Sequence, residues 1–407
     1  MNAPAAAITL DPSQHRAVEL TCTAPIGIVT GGPGTGKSTC LRYALDILDD
    51  RGERYELAAP TGKAAKRVNE TTGRPARTMH RLLEFSPRLG WQRNTDNPLD
   101  TDVVVIDESS MIDVELAARL LEAINPERTR LILIGDADQL PPVGPGRVFG
   151  DLVDAGIVPT ARLTTLHRAA LESWVCANAP RVLAGDMPDL TPRKDFLWIE
   201  CERADDVLTQ VRHMVCEHIP EFIGDEVQTL IPQRPGVAGI LAANRVLQAQ
   251  LNPRAADAPF IQRGRDGDDD RAELRAGDRV IQTKNNYDLG VFNGEVGEVG
   301  DILGGKVLVN FFGRESILYT LEQANALHLA YALTIHRAQG SEFPWVVVVC
   351  HSTHSYILSR QLIYTAITRA KKGVVLIGDD KGLRRALSDA KPLKRYTGLI
   401  ERIRGEL

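Results

Sequence analysis

Short apolar runs punctuate this chain and set its architecture. Ile26–Val29, Leu57–Ala59, Val103–Ile106 and Leu131–Ile134 lie in its first part, Val346–Val349 and Val374–Ile377 near its end. Runs apolar at every position, not at alternate ones, mark strands covered on both faces, as in parallel sheets. Helical stretches alternate with them. One opens at Asp11-Pro12, one at Lys37 and one just after Thr61; others span Leu171–Met187, Asp205–Ile219, Gly239–Gln250 and Leu362–Lys371. Gln228–Ile231 adds a further strand. Strand–helix alternation predicts an α/β fold with parallel sheets flanked by helices. A shift in composition places a domain boundary near Ala161, giving domains of residues 1–160 and 161–407.

Two stretches break the pattern. Residues 85–99 have no helical period and contain Pro87, Gly90, Trp91, Asn94, Asn97 and Pro98. They predict a short β-hairpin or extended loop projecting from the first domain, with Trp91 as an exposed aromatic. Val291–Val299 and Lys306–Phe312 alternate with period two around glycine turns, predicting a small β-barrel insert at about residues 296–322. The run Arg263–Arg279, crowded with mixed charge, predicts a solvated loop.

Composition narrows the class little: 407 residues, 43% apolar and 25% charged, with a net charge of −5. No global basic field advertises nucleic acid, so any such site must be a local groove. The six cysteines form no C-x-x-C pair and read as the reduced thiols of a cytoplasmic protein. The N-terminus lacks the basic flank of a signal peptide, and no run reaches transmembrane length, so no membrane partner is expected.

Chemistry concentrates where apolar runs end. Gly31-Gly32-Pro33-Gly34-Thr35-Gly36-Lys37-Ser38-Thr39 between a strand and a helix is a phosphate loop. Its glycines let backbone N–H groups curl around an anion, and the helix N-terminus adds its dipole. Lys37 can reach the β/γ-phosphates and Ser38 can ligate Mg²⁺. Asp107-Glu108 end another strand, Asp107 suited to Mg²⁺ and Glu108 to orienting and deprotonating water. Gln139, after a third strand, can sense a γ-phosphate. Gln14 has an amide able to pair with a purine edge, or is a solvated helix-start residue. Thr61-Gly62-Lys63 form a helix N-terminus that fits a phosphate or a solvated helix face. His80 suits a nucleic-acid backbone or a helix cap.

In this order the blocks resemble a superfamily 1 helicase, and within it the RecD-like group of the 1B branch. The resemblance rests on Ala59-Pro60-Thr61-Gly62-Lys63-Ala64-Ala65, Asp107-Glu108-Ser109-Ser110-Met111, Gly135-Asp136-Ala137-Asp138-Gln139-Leu140-Pro141, Asn285-Asn286-Tyr287-Asp288 and His336-Arg337-Ala338-Gln339-Gly340-Ser341-Glu342. It implies two tandem RecA-like P-loop domains with ATP between them, residues 85–99 as a strand-splitting pin and the β-barrel insert in the second domain. Gln14 would read adenine. Arg168 and Arg369 would be arginine fingers, and Gly340 and Glu342 would contact the nucleotide. Thr61, Lys63, His80, Trp91, Asn286, Asn293, Thr334 and His336 would lie on single-stranded DNA. The implied activity is ATP- and Mg²⁺-dependent, 5′→3′ unwinding of forked duplex DNA by a monomer. The alternative is a single-strand translocase or protein displacer with little unwinding. Ala169 stands where the family usually has glutamine, and Arg337-Ala338 where it has Lys-Ser. The start of the chain at the Gln14 block suggests a compact enzyme similar to phage Dda helicase, outside a RecBCD-type assembly.

Overall fold

Each group of predicted strands assembles into a parallel sheet in a computed structural model, which describes residues 10–166, 172–219, 226–256, 258–264, 271–286, 288–311, 315–389, 395 and 397–406. Arg168 and Ala169 lie outside the described residues. The chain divides into two compact units, Met1–Glu172 with Leu393–Leu407, and Ser173–Pro392.

The first unit runs α1 (Pro12–Thr23), β1 (Ile26–Gly31), α2 (Lys37–Asp50), β2 (Tyr55–Ala59), α3 (Gly62–Thr72), β3 (Ala76–Thr78), α4 (Met79–Leu82), β4 (Phe85–Ser86), β5 (Gly90–Trp91), β6 (Val103–Ile106), α5 (Val114–Glu122), β7 (Arg130–Gly135), α6 (Val148–Ala155) and β8 (Thr160–Leu163). Its six-stranded sheet has the order β3-β2-β6-β7-β1-β8, every pairing parallel. The uninterrupted apolar runs have the expected cause. Val29, Val105 and Ile134 pack on one face with Leu41 and Leu45 of α2, and Ile28, Val104 and Leu133 on the other with Phe149 of α6. Thr160–Leu163 pairs with β1, so the first sheet extends past the compositional shift near Ala161.

The second unit contains α7 (Trp174–Ala184), β9 (Phe196–Glu200), α8 (Ala204–His213), β10 (Val227–Ile231), α9 (Ile240–Leu251), β11 (Phe260–Arg263), β12 (Ala272–Arg275), β13 (Arg279–Gln282), β14 (Val296–Leu303), β15 (Lys306–Phe311), β16 (Ile317–Thr320), β17 (Leu327–Leu329), β18 (Ala332–Thr334), β19 (Phe343–Cys350), α10 (Arg360–Ile367), β20 (Ala370–Gly378) and α11 (Asp380–Ser388). Its parallel sheet has the order β18-β10-β19-β20-β9. The small barrel is a five-stranded antiparallel sheet, β16-β15-β14-β13-β17. It takes in more chain than residues 296–322, because Val280 of β13 pairs with Gly297 of β14 on one side and with Leu329 of β17 on the other. Residues 265–270 of the charge-rich run lie outside the described residues, but its flanks are not a loop. Arg263 is buried and pairs with Ala272 at the end of a β11–β12 hairpin, so alternation puts part of the charge inside.

A last helix, α12 (Leu399–Arg404), belongs with the first unit. Just before it, Arg395 donates to the carbonyls of Pro142, Gly144 and Gly146, and the Thr397 hydroxyl donates to Asp151 Oδ2 (2.6 Å). All six cysteines are free thiols. Among the described residues, no helix is long and apolar enough to cross a membrane.

The second unit also hides a titratable group. His354 is 1% exposed, and burial, with His351 beside it, pushes its pKa down to about 4. The folded state therefore holds His354 neutral, while the unfolded chain takes up a proton below about 6.5. Stability is full above that value and falls as pH drops towards 4, by on the order of 2 kcal/mol. Melting temperatures at pH 7 and pH 5 should show this loss in the native chain, and His354→Leu should flatten it. An unchanged pH slope in the variant would assign the loss to other groups.

Candidate functional site

Strand register builds the first unit's site. Thr30 pairs with Gly135, and Ile106 with Leu133, so β1, β7 and β6 finish side by side at their C-terminal ends. Ligands of open α/β sheets bind at such ends. Three polar segments emerge there, namely the phosphate loop, Asp136–Gln139 and Asp107-Glu108. The Ala137 N–H donates to Thr30 Oγ1 (3.2 Å), tying two of them together.

The loop curls as its glycines allow. Gly34 and Gly36 sit at φ 72° and 91°, a region closed to most side chains. Gly36 is also the N-cap of α2 and offers no side-chain cap, leaving the first-turn N–H groups of α2 to an external acceptor. Thr35 Oγ1 donates to Gly32 O (2.8 Å), and Lys37 Nζ donates to the carbonyls of Gly31 and Gly32 (2.5 and 3.0 Å). An ammonium folded onto loop carbonyls is a cation placed where anionic phosphates bind. Gly32, Pro33, Gly34, Thr35, Gly36, Lys37, Ser38 and Thr39 therefore fit a triphosphate.

Asp107 fits a divalent cation. Burial and the adjacent Glu108 push its pKa up, whereas Arg67 and Lys37 hold it down. A carboxylate made costly by burial and a like charge is suited to a metal ion, which Ser38 would share. Glu108 is buried, donates its backbone N–H to Asp107 Oδ1 (2.9 Å), and sits at φ 52°, strained for a residue other than glycine. Gln139 is 7% exposed, its Nε2 donating to Asp136 Oδ2 (3.2 Å). Gln14 is not a solvated helix-start residue. It is 2% exposed, closes a capping box with Asp11, and donates to Thr35 O (3.3 Å), joining α1 to the phosphate loop.

The same edge carries the candidate DNA residues of this unit. Ala59 pairs with Thr78, which sets the start of α3 beside that of α4. Thr61 caps α3 through Ala64 N–H (3.2 Å), with Lys63 in its first turn. Residues 85–99 do contain a hairpin, in which Phe85 pairs with Trp91. Trp91 is not freely exposed, however. Its ring lies 4.5 Å from Phe85 and 5.3 Å from His80, and it packs on the core, while Leu89 at the tip is 69% exposed. Burial lowers the His80 pKa.

In the second unit, Arg369 is 2% exposed. It donates through Nη1 to Ser341 O and through Nε to Thr365 O (3.3 Å each), which sets it beside Gly340 and Glu342. Glu342 pairs with Lys371 at 3.7 Å. Asn286 organises its own turn: its backbone exchanges hydrogen bonds with Val291, and its Oδ1 accepts from Leu289 N–H. Asn293 is exposed and donates its N–H to Asn285 Oδ1. Thr334 ends β18 and accepts the Arg337 N–H (3.2 Å); His336 opens the short turn that follows.

Sequence reading missed a basic cavity here. Arg234, Arg245, Arg263, Arg271 and Arg337 line it together with Thr334. Arg263 Nη1 lies 3.3 Å from His328 Nε2, and burial with Arg234 and Arg263 nearby pushes the Arg337 pKa down. Guanidinium groups present planar forks of donors that match phosphate oxygens. The signal was scattered over a hundred residues, with Arg263 and Arg271 lost in a charge-rich run.

A phosphate loop, a strand-end Asp-Glu pair and Gln139 on neighbouring parallel strands define a P-loop nucleotide-binding protein. Comparison sharpens this. Residues 14–145 match the family described as AAA domain, residues 243–311 the ATP-dependent RecD-like DNA helicase SH3 domain, and residues 329–377 the UvrD-like helicase C-terminal domain. The chain is 39% identical to the ATP-dependent RecD2 DNA helicase of Deinococcus radiodurans over 93% of its own length and 50% of that protein's. It is 32% identical to the RecBCD enzyme subunit RecD of Mycobacterium tuberculosis, over 96% of this chain and 72% of that one. The Pif1 helicase of Candida albicans shares the fold at 21% identity, with a TM-score of 0.56 over 98% of this chain and 99% of that one. The chain belongs to the RecD-like helicase family of superfamily 1B, and spans half the length of its Deinococcus relative.

Proposed function

We propose that the protein hydrolyses ATP with Mg²⁺ to move 5′→3′ along single-stranded DNA and to open forked duplexes. The observation that carries the reading is the register-aligned ends of β1, β6 and β7, which gather Lys37, Asp107, Glu108 and Gln139. Lys37 and the loop N–H groups hold the phosphates, and Ser38 with Asp107 holds the metal. Bound there, Mg²⁺ supplies charge that neutralises the phosphate oxygens. Glu108 orients and deprotonates the attacking water, Gln139 reports the γ-phosphate, and Arg369 stabilises the developing charge. Thr61, Lys63, His80, Asn286, Asn293, Thr334, His336 and the arginine cavity hold the DNA backbone, so binding is salt-dependent and largely blind to sequence. Action as a monomer in the cytoplasm belongs to this reading.

One observation favours a second reading, a translocase or protein displacer: the hairpin is short and Trp91 packs back onto the core. Strand separation on forked duplexes with a single 5′ or 3′ tail, beside DNA-stimulated ATPase, separates the two. Unwinding from the 5′ tail alone supports the helicase, polarity included. Stimulated ATPase without unwinding selects the translocase. ATPase indifferent to DNA rejects both.

The cavity gives a graded test. Arg337→Ala should weaken single-strand binding uniformly across sequences and lower the slope of log K against log [salt] by about one phosphate contact. An unchanged slope in equilibrium titrations would remove Arg337 from the DNA contacts.

A further inference from the structure

Arg67 was singled out by no motif, yet its guanidinium grips the carboxylate to which the proposed function gives the water. Arg67 lies in the second turn of α3, and its Nη1 is 3.2 Å from Glu108 Oε1. The two residues are 41 apart in sequence, so the fold makes the contact. The Glu108 side chain is 9% exposed and that of Arg67 31%, so one end of the pair is enclosed and the other reaches solvent.

Such a bond has a chemical consequence. To accept a proton from water, a carboxylate must present a lone pair to it at hydrogen-bond distance. A charge-assisted bond from a guanidinium commits an oxygen of Glu108 elsewhere and ties down the side chain. Glu108 has little room to move away, since its side chain is only 9% exposed. The pair therefore restrains the group that must act.

The same helix contains the means of release. Lys63 lies four residues before Arg67, so both project from one face of α3, about one turn apart. Thr61 caps that helix. Ala64, Ala65 and Val68 anchor its other face, each no more than 4% exposed. A backbone phosphate seated against Thr61 and Lys63 comes within reach of Arg67 and competes for it with Glu108. The arginine end of the pair is open to solvent, so a phosphate can reach it and exchange for the carboxylate.

We propose that the Arg67–Glu108 ion pair is a brake on ATP hydrolysis that single-stranded DNA bound along α3 releases. Arg67 is thus a positioning residue that couples strand binding to turnover. The inference rests on the ATPase and strand-binding reading above.

The test is steady-state ATPase of the full chain, native and with Arg67→Met or Arg67→Lys, without DNA and with saturating oligothymidylate. Melting curves and fluorescent ADP binding accompany it. Arg67→Met should raise the DNA-free kcat by about fivefold, the range that an ion pair with one end open to solvent can hold back. KM for ATP and the DNA-saturated kcat should stay near native values, so the stimulation ratio collapses. Arg67→Lys, which keeps a cation, should keep most of the ratio. A DNA-free kcat of Arg67→Met at or below the native value, with the ratio intact and the fold stable, overturns the proposal. Should Arg67→Met melt early, the native chain still decides the matter. Added salt screens the pair and should raise DNA-free turnover of the native chain and of Arg67→Lys alike; a native rate that only falls with salt counts against the brake. If native turnover ignores DNA altogether, the DNA-coupled reading itself fails, whatever Arg67 does.

Discussion

Glu108→Gln should cut kcat for ATP hydrolysis by about 10²- to 10⁴-fold, the contribution of a positioned general base. The substitution keeps the side chain's length and volume and removes only its capacity to take a proton. The groups that hold nucleotide, Lys37 with the loop from Gly32 to Thr39, are untouched, so ATP affinity should survive. The signature is a fall in kcat and in kcat/KM together, with fluorescent nucleotide binding unchanged, which marks an interaction made in the transition state. Glutamine also surrenders the ion pair to Arg67, but that loosening acts in the opposite direction and is worth only about fivefold. The loss of the base therefore dominates. Turnover within tenfold of native would mean that another group activates the water, and the proposed role of the Asp107-Glu108 strand end would contract to metal binding.

The strands were legible because burial on both faces leaves a continuous apolar signature, seen in Val103–Ile106 and in Val346–Val349, which lies within Phe343–Cys350. The phosphate loop was legible because few sequences other than glycine-rich ones permit positive φ at Gly34 and Gly36 next to a helix start. What stayed hidden depends on contacts between distant segments. The five arginines of the cavity come from three separate stretches of chain. Arg263 reads as solvent-facing because its neighbours are charged, yet strand alternation turns it inwards. Trp91 reads as exposed because loop composition surrounds it, and only the register of Phe85 against Trp91 brings it under His80. Arg395 could not be assigned to the first unit, since nothing local marks a guanidinium destined for three backbone carbonyls some 250 residues earlier.

Arg369→Ala should nearly abolish turnover, by about 10³- to 10⁵-fold if Arg369 acts as an arginine finger. Its burial complicates the experiment. At 2% exposure, with hydrogen bonds to Ser341 O and Thr365 O, Arg369 also holds the Gly340–Glu342 segment against α10. Truncation leaves those carbonyls short of a donor, at about 1–3 kcal/mol for a buried group. A loss of that size lowers the melting temperature and the folded fraction, but it cannot remove three orders of magnitude from the kcat of protein that remains folded. Arg369→Lys separates the two roles. Lysine keeps a charge and can donate to one carbonyl, so it should recover part of the stability, but it lacks the planar fork that matches a phosphoryl group and should recover little of the rate. Melting curves beside kcat for both variants give the decision. If kcat follows the folded fraction, Arg369 braces the motif; if kcat collapses in a lysine variant that melts near the native temperature, Arg369 acts on the phosphoryl group itself.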